Sequence, residues 1–313
     1  MEKEKEFYKR LEKKGVSRRD FMKYCTLLTA TMGLSSSFVP KVAEVFAAPA
    51  QRPPVIWLHF AECTGCSEAL LRSMYPWIDQ LLLEVLSVEY HETIMAAAGR
   101  QAEENLQNAV KKYNGKFICV VEGAVATKYN GGYGKVGGRT FLDIAKDVCS
   151  KAAAVICMGT CSAYGGVQAA KPNPGGYKGV GDAIGIKTLN IPGCPPNPIN
   201  LVGTVVNYLL LGKLPDLDAL GRPLFAYGKS IHDQCQRRSH FENGEFVTEF
   251  GSKEAVMGYC LYKMGCKGPE TFNNCPTVKF NDGTSWPVEA GHPCIGCSEP
   301  DFWDKMSPFY EEM

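Results

Sequence analysis

Five short apolar runs punctuate the first two thirds of the chain: Val55–Phe60, Leu83–Glu89, Phe117–Val121, Ala153–Cys157 and Thr188–Ile191. They are largely uninterrupted by polar positions, the pattern of strands buried on both faces. Between them, helical spacing covers Ser67–Met74, Glu103–Lys112, Thr140–Ser150 and Ile199–Leu211. Strands alternating with helices predict an α/β fold, a doubly wound parallel sheet of flavodoxin-like type. After Leu214-Pro215-Asp216 and Gly221-Arg222-Pro223 the alternation stops, and apolar runs become scarce. The boundaries this implies are a leader over 1–47, a flavodoxin-like domain over 48–222 and a small loop-rich domain over 223–313. The Gly-rich stretches Tyr129–Arg139 and Ala170–Asp182 read as loops. The first lacks the Lys-Ser/Thr ending of a phosphate loop and does not directly follow a strand.

The leader has its own grammar. Met1 to Gly15 is charged and reads as unstructured. Ser17-Arg18-Arg19-Asp20-Phe21-Met22-Lys23 then precedes a moderately apolar run from Tyr24 to Phe46. Paired arginines before an apolar stretch and the small-residue site Val45-Phe46-Ala47 predict a twin-arginine signal cleaved near Ala47. Gly33, Ser35 to Ser37 and Pro40 interrupt the run and speak against a membrane anchor. Such signals address proteins that fold before crossing the membrane, often around a cofactor. Cys25 would leave with the leader.

Composition changes this picture in one respect. A net charge of +1 gives no footprint for nucleic acid or a membrane surface, and 45% hydrophobic residues describe an ordinary globular chain. Its 14 cysteines are unusual. Disulfide frameworks belong to small chains with little core, which this is not, so metal ligation is the stronger reading. In Glu62-Cys63-Thr64-Gly65-Cys66-Ser67-Glu68 two thiols lie between a predicted strand and a helix, where free amides favour anions. Alone, that pair would also suit a thioredoxin-like dithiol. Cys161, in Gly159-Thr160-Cys161, and Cys194, in Pro192-Gly193-Cys194-Pro195-Pro196, follow two further strands. Ligands of such sheets sit beyond the carboxyl ends of the strands, so these four thiols share one edge. Four thiolates suit a 4Fe–4S cluster or structural zinc. The arrangement is unlike a zinc ribbon, which favours iron–sulfur. Cys119, Cys149 and Cys157 fall inside predicted elements and read as small core hydrophobes.

The second domain carries two more sets: His232-x-x-Cys235 with Cys260 and Cys266, and Cys275 with Cys294-Ile295-Gly296-Cys297. Ten cysteines and His232 give eleven donors, and each cluster iron wants about one protein ligand. The partition is four thiolates, a histidine with three thiolates, and three thiolates. In the last set Trp286-Pro287 stands where a fourth ligand would be. Proline offers none, which predicts a 3Fe–4S cluster. Neutral imidazole in place of a thiolate raises a cluster's potential.

With these motifs in hand the chain resembles, from end to end, the small subunit of periplasmic nickel–iron hydrogenases. The resemblance rests on Ser17–Lys23, Glu62–Cys66, Gly159–Cys161, Pro192–Pro196, His232-Asp233-Gln234-Cys235, Gly265-Cys266-Lys267-Gly268-Pro269 and Gly291-His292-Pro293-Cys294-Ile295-Gly296-Cys297. It implies a proximal 4Fe–4S cluster on Cys63, Cys66, Cys161 and Cys194. A medial 3Fe–4S cluster would sit on Cys275, Cys294 and Cys297, with Pro287 at its open corner. A distal 4Fe–4S cluster would sit on His232, Cys235, Cys260 and Cys266. The nickel–iron centre belongs to a separate large subunit, whose ligands nothing here resembles. This chain would be the electron conduit and hold no catalytic residue itself. Glu62 and Glu122, at predicted strand ends, are candidates for a proton path.

Oxygen-tolerant relatives carry two extra cysteines, at positions corresponding to Gly65 and Gly166, so the resemblance implies an ordinary proximal cluster and an oxygen-sensitive enzyme. Some selenium-containing relatives carry cysteine at the position of Pro287, which favours the nickel–iron type. Ser307-Pro308-Phe309-Tyr310-Glu311-Glu312-Met313 forms no hydrophobic helix, so the resemblance implies a soluble periplasmic form with no membrane anchor. Its acceptor would be a multihaem cytochrome c. Charges near the distal donors, Arg237, Arg238, Lys263 and Lys267 with Glu242, Glu245 and Glu249, are mixed and name no partner. Other readings are a hydrogen-sensing subunit, which works in the cytoplasm, an iron–sulfur carrier with no catalytic partner, and a disulfide-rich binding protein.

Overall fold

The computed structural model describes residues 2–47, 52–73, 85–281 and 283–311. Strands β1 (Pro54–His59), β2 (Ser87–His91), β3 (Ile118–Glu122), β4 (Ala154–Met158) and β5 (Leu189–Ile191) form one parallel sheet in the order β2-β1-β3-β4-β5. That is the flavodoxin-type winding expected from the alternation. The expected strand Leu83–Glu89 begins later, at Ser87. Its first residues and the expected helix end at Met74 run into 74–84, outside the described residues. Register sets the strand ends level: His59 faces Glu122, Glu122 faces Met158, and Met158 faces Ile191. Loops leaving β1, β4 and β5 therefore emerge side by side.

Both faces of the sheet are buried, which explains the uninterrupted apolar strands. Ile56, Leu58, Cys119, Val121, Val155 and Cys157 pack on helices α5 (Arg100–Lys112) and α6 (Phe141–Cys149). Cys119 and Cys149 meet there, Sγ to Sγ 3.8 Å, deep in this layer. Val55, Trp57, Ile118, Val120, Ile156, Met158, Leu189 and Ile191 pack on the other side, chiefly on α8 (Pro198–Leu211). The Asn197 side chain caps α8 by accepting from the Ile199 amide at 3.2 Å, Pro198 opens it, and Gly212 at φ +66° ends it. Helices α4 (Gly65–Leu71) and α7 (Thr160–Tyr164) follow β1 and β4 directly.

The N-terminal stretch departs from its expectation. Residues read as unstructured form α1 (Glu2–Lys13), followed by α2 (Arg18–Thr31) and α3 (Val39–Ala47). The reason is a stripe at i, i+4 spacing, Phe7 and Leu11, buried together with Val16, Phe21 and Phe46. Ser17 caps α2: its hydroxyl accepts from the Asp20 amide at 3.1 Å. Cys25 is buried in the same cluster. Among the described residues no helix is long and apolar enough to cross a membrane.

Beyond Pro223 the chain runs as short helical turns around a small core of Ile231, Val247, Leu261, Met264, Cys275, Trp286 and Val288. A buried ion network ties it to the sheet domain. Arg222 donates to Asp218 at 2.7 Å and to Glu299 at 2.9 Å, and Glu299 also accepts from the Phe272 amide at 2.7 Å.

Candidate metal centres

At the sheet edge the backbone turns sharply to present the first four thiols. Thr64 takes φ +62° to start α4, so the amides of Cys66 and Ser67 are free to be claimed. Glu122, at the end of β3, accepts from the Cys66 amide at 3.0 Å, the Ser67 amide at 3.1 Å and the Ser67 hydroxyl at 2.6 Å. That carboxylate fixes the Cys-x-x-Cys turn against the sheet. Glycine is required beside the thiols: a Cβ on Gly159 would lie 2.4 Å from Cys66 Sγ, and one on Gly166 2.4 Å from Cys161 Sγ. At Gly65 a Cβ would lie 3.1 Å from Cys63 Sγ.

The donor chemistry fits a cationic cluster. Burial pushes the Cys66 thiol up, and the charges of Glu122, Cys161, Cys194 and Cys63 push it further. Cys161 is pushed up to about 12, by burial and then by Cys194 and Cys63. Cys66, Cys161 and Cys194 are each pushed up by burial and by neighbouring thiols, and with none of the fourteen cysteines in a disulfide they become favourable as thiolates around metal. Cys63 and Cys194 are exposed, so this edge is open on one side.

The second set lines a cavity of about 490 Å³ whose walls include Cys275, Cys294 and Cys297, with Trp286 and Pro287. Pro287, expected at the open corner, therefore stands on the same wall as the three cysteines. Burial raises all three thiols. The third set, His232, Cys235, Cys260 and Cys266, lines one narrow cleft with Arg237. His232 is half-buried, edge-on to Phe241 at 4.6 Å. The structure thus brings Cys275, Cys294 and Cys297 to one cavity and His232, Cys235, Cys260 and Cys266 to another.

What joins the groups was not legible. Thr160, beside Cys161, accepts from the Gly193 amide at 2.9 Å and donates its hydroxyl to the Cys297 carbonyl. The Cys194 amide is directed at the Cys297 sulfur and partly offsets the burial that pushes that thiol up to about 11. On the far side the Cys294 amide donates to Cys266 Sγ at 3.4 Å, and the Lys267 amide to the Cys294 carbonyl at 2.8 Å. Thr160 therefore links the first group to the second, and an amide donated to sulfur links the second to the third.

The two carboxylates singled out from sequence do meet. Donor atoms of His59, Glu62 and Glu122 lie within 4.8 Å of one another. The His59 Nδ1 stands 3.3 Å from Glu62 and 3.8 Å from Glu122. Burial, then the neighbouring Glu122, raises the Glu62 pKa, with His59 opposing. Behind them His91 is held neutral, its pKa lowered to about 3 by burial and by His59. His59 and His91 carried no sequence signal beyond their position at strand ends. Arg237 was noted only as one of several mixed charges. It is buried, and its guanidinium donates to the Tyr259 carbonyl at 2.7 Å beside Cys235 and Cys260.

Comparison with known proteins agrees with this geometry. Residues 227–310 match the family model for the C-terminal part of the NiFe/NiFeSe hydrogenase small subunit. Residues 63–208 match that of the NADH ubiquinone oxidoreductase 20 kDa subunit. The chain is 57% identical over 305 residues to the periplasmic [NiFe] hydrogenase small subunit 1 of Nitratidesulfovibrio vulgaris, covering 96% of this chain and 95% of that protein. It is also 57% identical to the periplasmic [NiFe] hydrogenase small subunit of Solidesulfovibrio fructosivorans, covering 97% and 96%. Among solved structures, the reduced, active form of the Ni-Fe-Se hydrogenase from Desulfomicrobium baculatum superposes with a TM-score of 0.79 at 39% identity, covering 84% of this chain and 100% of that one.

Proposed function

We infer the roles of the three groups from one premise: this chain belongs to the nickel–iron hydrogenase small-subunit family, and is the electron-transfer component of a hydrogenase. Cys63, Cys66, Cys161 and Cys194 hold a proximal 4Fe–4S cluster, Cys275, Cys294 and Cys297 a medial 3Fe–4S cluster, and His232, Cys235, Cys260 and Cys266 a distal 4Fe–4S cluster. Bound there, iron–sulfur clusters supply one-electron carriers between the large subunit's nickel–iron site, where H2 becomes two protons and two electrons, and an outside acceptor.

The chain's own residues do the rest. Glu122 and the glycines at 159 and 166 set the angle of the proximal thiols, and the amides of Cys194 and Cys294 stabilise thiolate charge across each junction. Arg237 adds positive charge beside the distal thiols, which favours the reduced state. Glu62, with His59 behind it, serves a proton path at the interface with the large subunit. Residues 1–47 are a twin-arginine leader removed near Ala47, 48–222 and 223–313 are the two domains, and the enzyme works in the periplasm with a multihaem cytochrome c as acceptor. The relatives whose names place them in the periplasm support that location.

The observation that carries this reading is the succession of three thiol groups, joined by Thr160 at the first junction and by the Cys294 amide at the second. Metal analysis of the complex purified without oxygen tests it. Eleven donors predict eleven irons here, plus one iron and one nickel in the larger chain, about twelve irons per nickel. Iron without nickel would leave only a carrier, and zinc in place of iron would overturn the reading.

A further inference from the structure

Residues 6–47 do more than trail from the body. Phe21, Leu28, Val42 and Phe46 are buried in the same cluster as Val202, Val205 and Val206 of α8. A Cβ on Gly203, mid-helix, would stand 3.6 Å from Leu28 Cδ1, so α2 rests on α8 at a glycine. Helix α8 is apolar nearly all round: Ile199, Leu209 and Leu210 pack against the cluster that buries Leu201 and Val202. A helix of that kind belongs inside a protein, and water would meet a large apolar patch if the three N-terminal helices left it bare.

The covered surface reaches the elements that carry two of the proximal thiols. Asp20, Lys23, Tyr24 and Leu27 of α2 line a cavity of about 470 Å³ whose opposite walls include Ala69 and Arg72, at the end of α4, and Asn197. Cys66 lies in α4, and Asn197 follows Cys194-Pro195-Pro196. Helix α2 therefore borders the elements that present the exposed Cys63 and Cys194. We propose that, in the uncleaved chain, helices α1–α3 occupy the surface that the hydrogenase large subunit takes in the enzyme, so that docking displaces them. This rests on the heterodimer reading above.

Displacement has a consequence for the leader itself. Within Ser17–Lys23, Arg18 and Arg19 are exposed but Phe21 is buried, its ring 5.1 Å from Phe7, 6.0 Å from Tyr8 and 6.1 Å from Phe46. That burial is among the leader's own helices, so Phe21 is reached only when α1 and α3 part from α2, which departure from α8 permits.

Hydrogen exchange on the uncleaved full chain, alone and with its large subunit, tests this. Alone, amides of α2, α3 and α8 are expected to be protected. With the large subunit, α2 and α3 lose protection while α8 keeps it. Protection of α2 and α3 that survives in the heterodimer overturns the proposal. So does a chain whose α2 and α3 exchange freely before docking. Leu28→Asp, on the leader and outside every metal site, is expected to free α2 and α3 and to tighten large-subunit binding by about tenfold. Equal affinity of the two forms overturns the proposal and leaves the heterodimer intact. No binding by either form removes the heterodimer reading itself. Self-association of the Leu28→Asp chain that excludes the large subunit assigns the surface to a second copy instead, and also overturns it.

Discussion

The four thiols at the sheet edge hang from loops of a parallel sheet packed on both faces, whereas the seven donors beyond Arg222 hang from short turns around a core of seven buried residues, one of which, Cys275, is itself a donor. In the first region apolar burial alone accounts for the backbone, and the ligands are a late addition at its edge. In the second, no element among the described residues is longer than five residues, and the donors stand where a core would otherwise be. Folding there is expected to depend on metal in a way that the sheet's does not.

The largest test of that contrast is to withhold iron. Residues 231–297 are expected to lose amide protection and become sensitive to protease, while β1–β5 keep theirs. Equal loss in both halves would break the comparison. Glu122→Ala comes next. It leaves the Cys66 and Ser67 amides and the Ser67 hydroxyl without a buried acceptor, at a cost of about 3 kcal/mol. Denaturant unfolding of the sheet domain should record it, and Glu122→Gln should recover part of the loss. Thr160→Val tests the joint between regions. Losing two hydrogen bonds that involve Gly193 and Cys297 should cost about 1–2 kcal/mol and split thermal unfolding into two steps. The smallest effect concerns one site alone. Arg237→Gln removes a buried cation beside the distal thiols, which should lower the distal potential by about 60 mV, one factor of ten for a single electron. Potentiometric titration followed by electron paramagnetic resonance would read it, with the proximal potential unmoved.

The same contrast explains what could be read in the chain. Strands β1, β3, β4 and β5 lie within a residue of their expected ends, because burial on both faces leaves an uninterrupted apolar signature. The eleven residues proposed as donors stood out in the sequence because thiols and a histidine at strand ends or close spacing have few other uses. Helix α1 was not: charges on most of its positions hid the single pair, Phe7 and Leu11, that seats it. His59, Thr160 and the Arg222–Glu299 pair were also hidden, since each acts alone, across a fold, with no period to betray it. Arg237 shows the same limit from another side: its charge was visible, but burial gives that charge its effect.

The Thr160 hydroxyl and the Cys194 amide reach from the sheet domain to a cysteine of the other domain. Two bodies joined only by a linker would breathe against each other, and the interval between their carriers would fluctuate with every excursion. Here the Thr160 hydroxyl, bonded to both Gly193 and Cys297, bridges the two bodies directly. A current crossing this joint meets a gap of fixed width, so its pace is governed by the energies of the two carriers and is deaf to the tumbling of the halves.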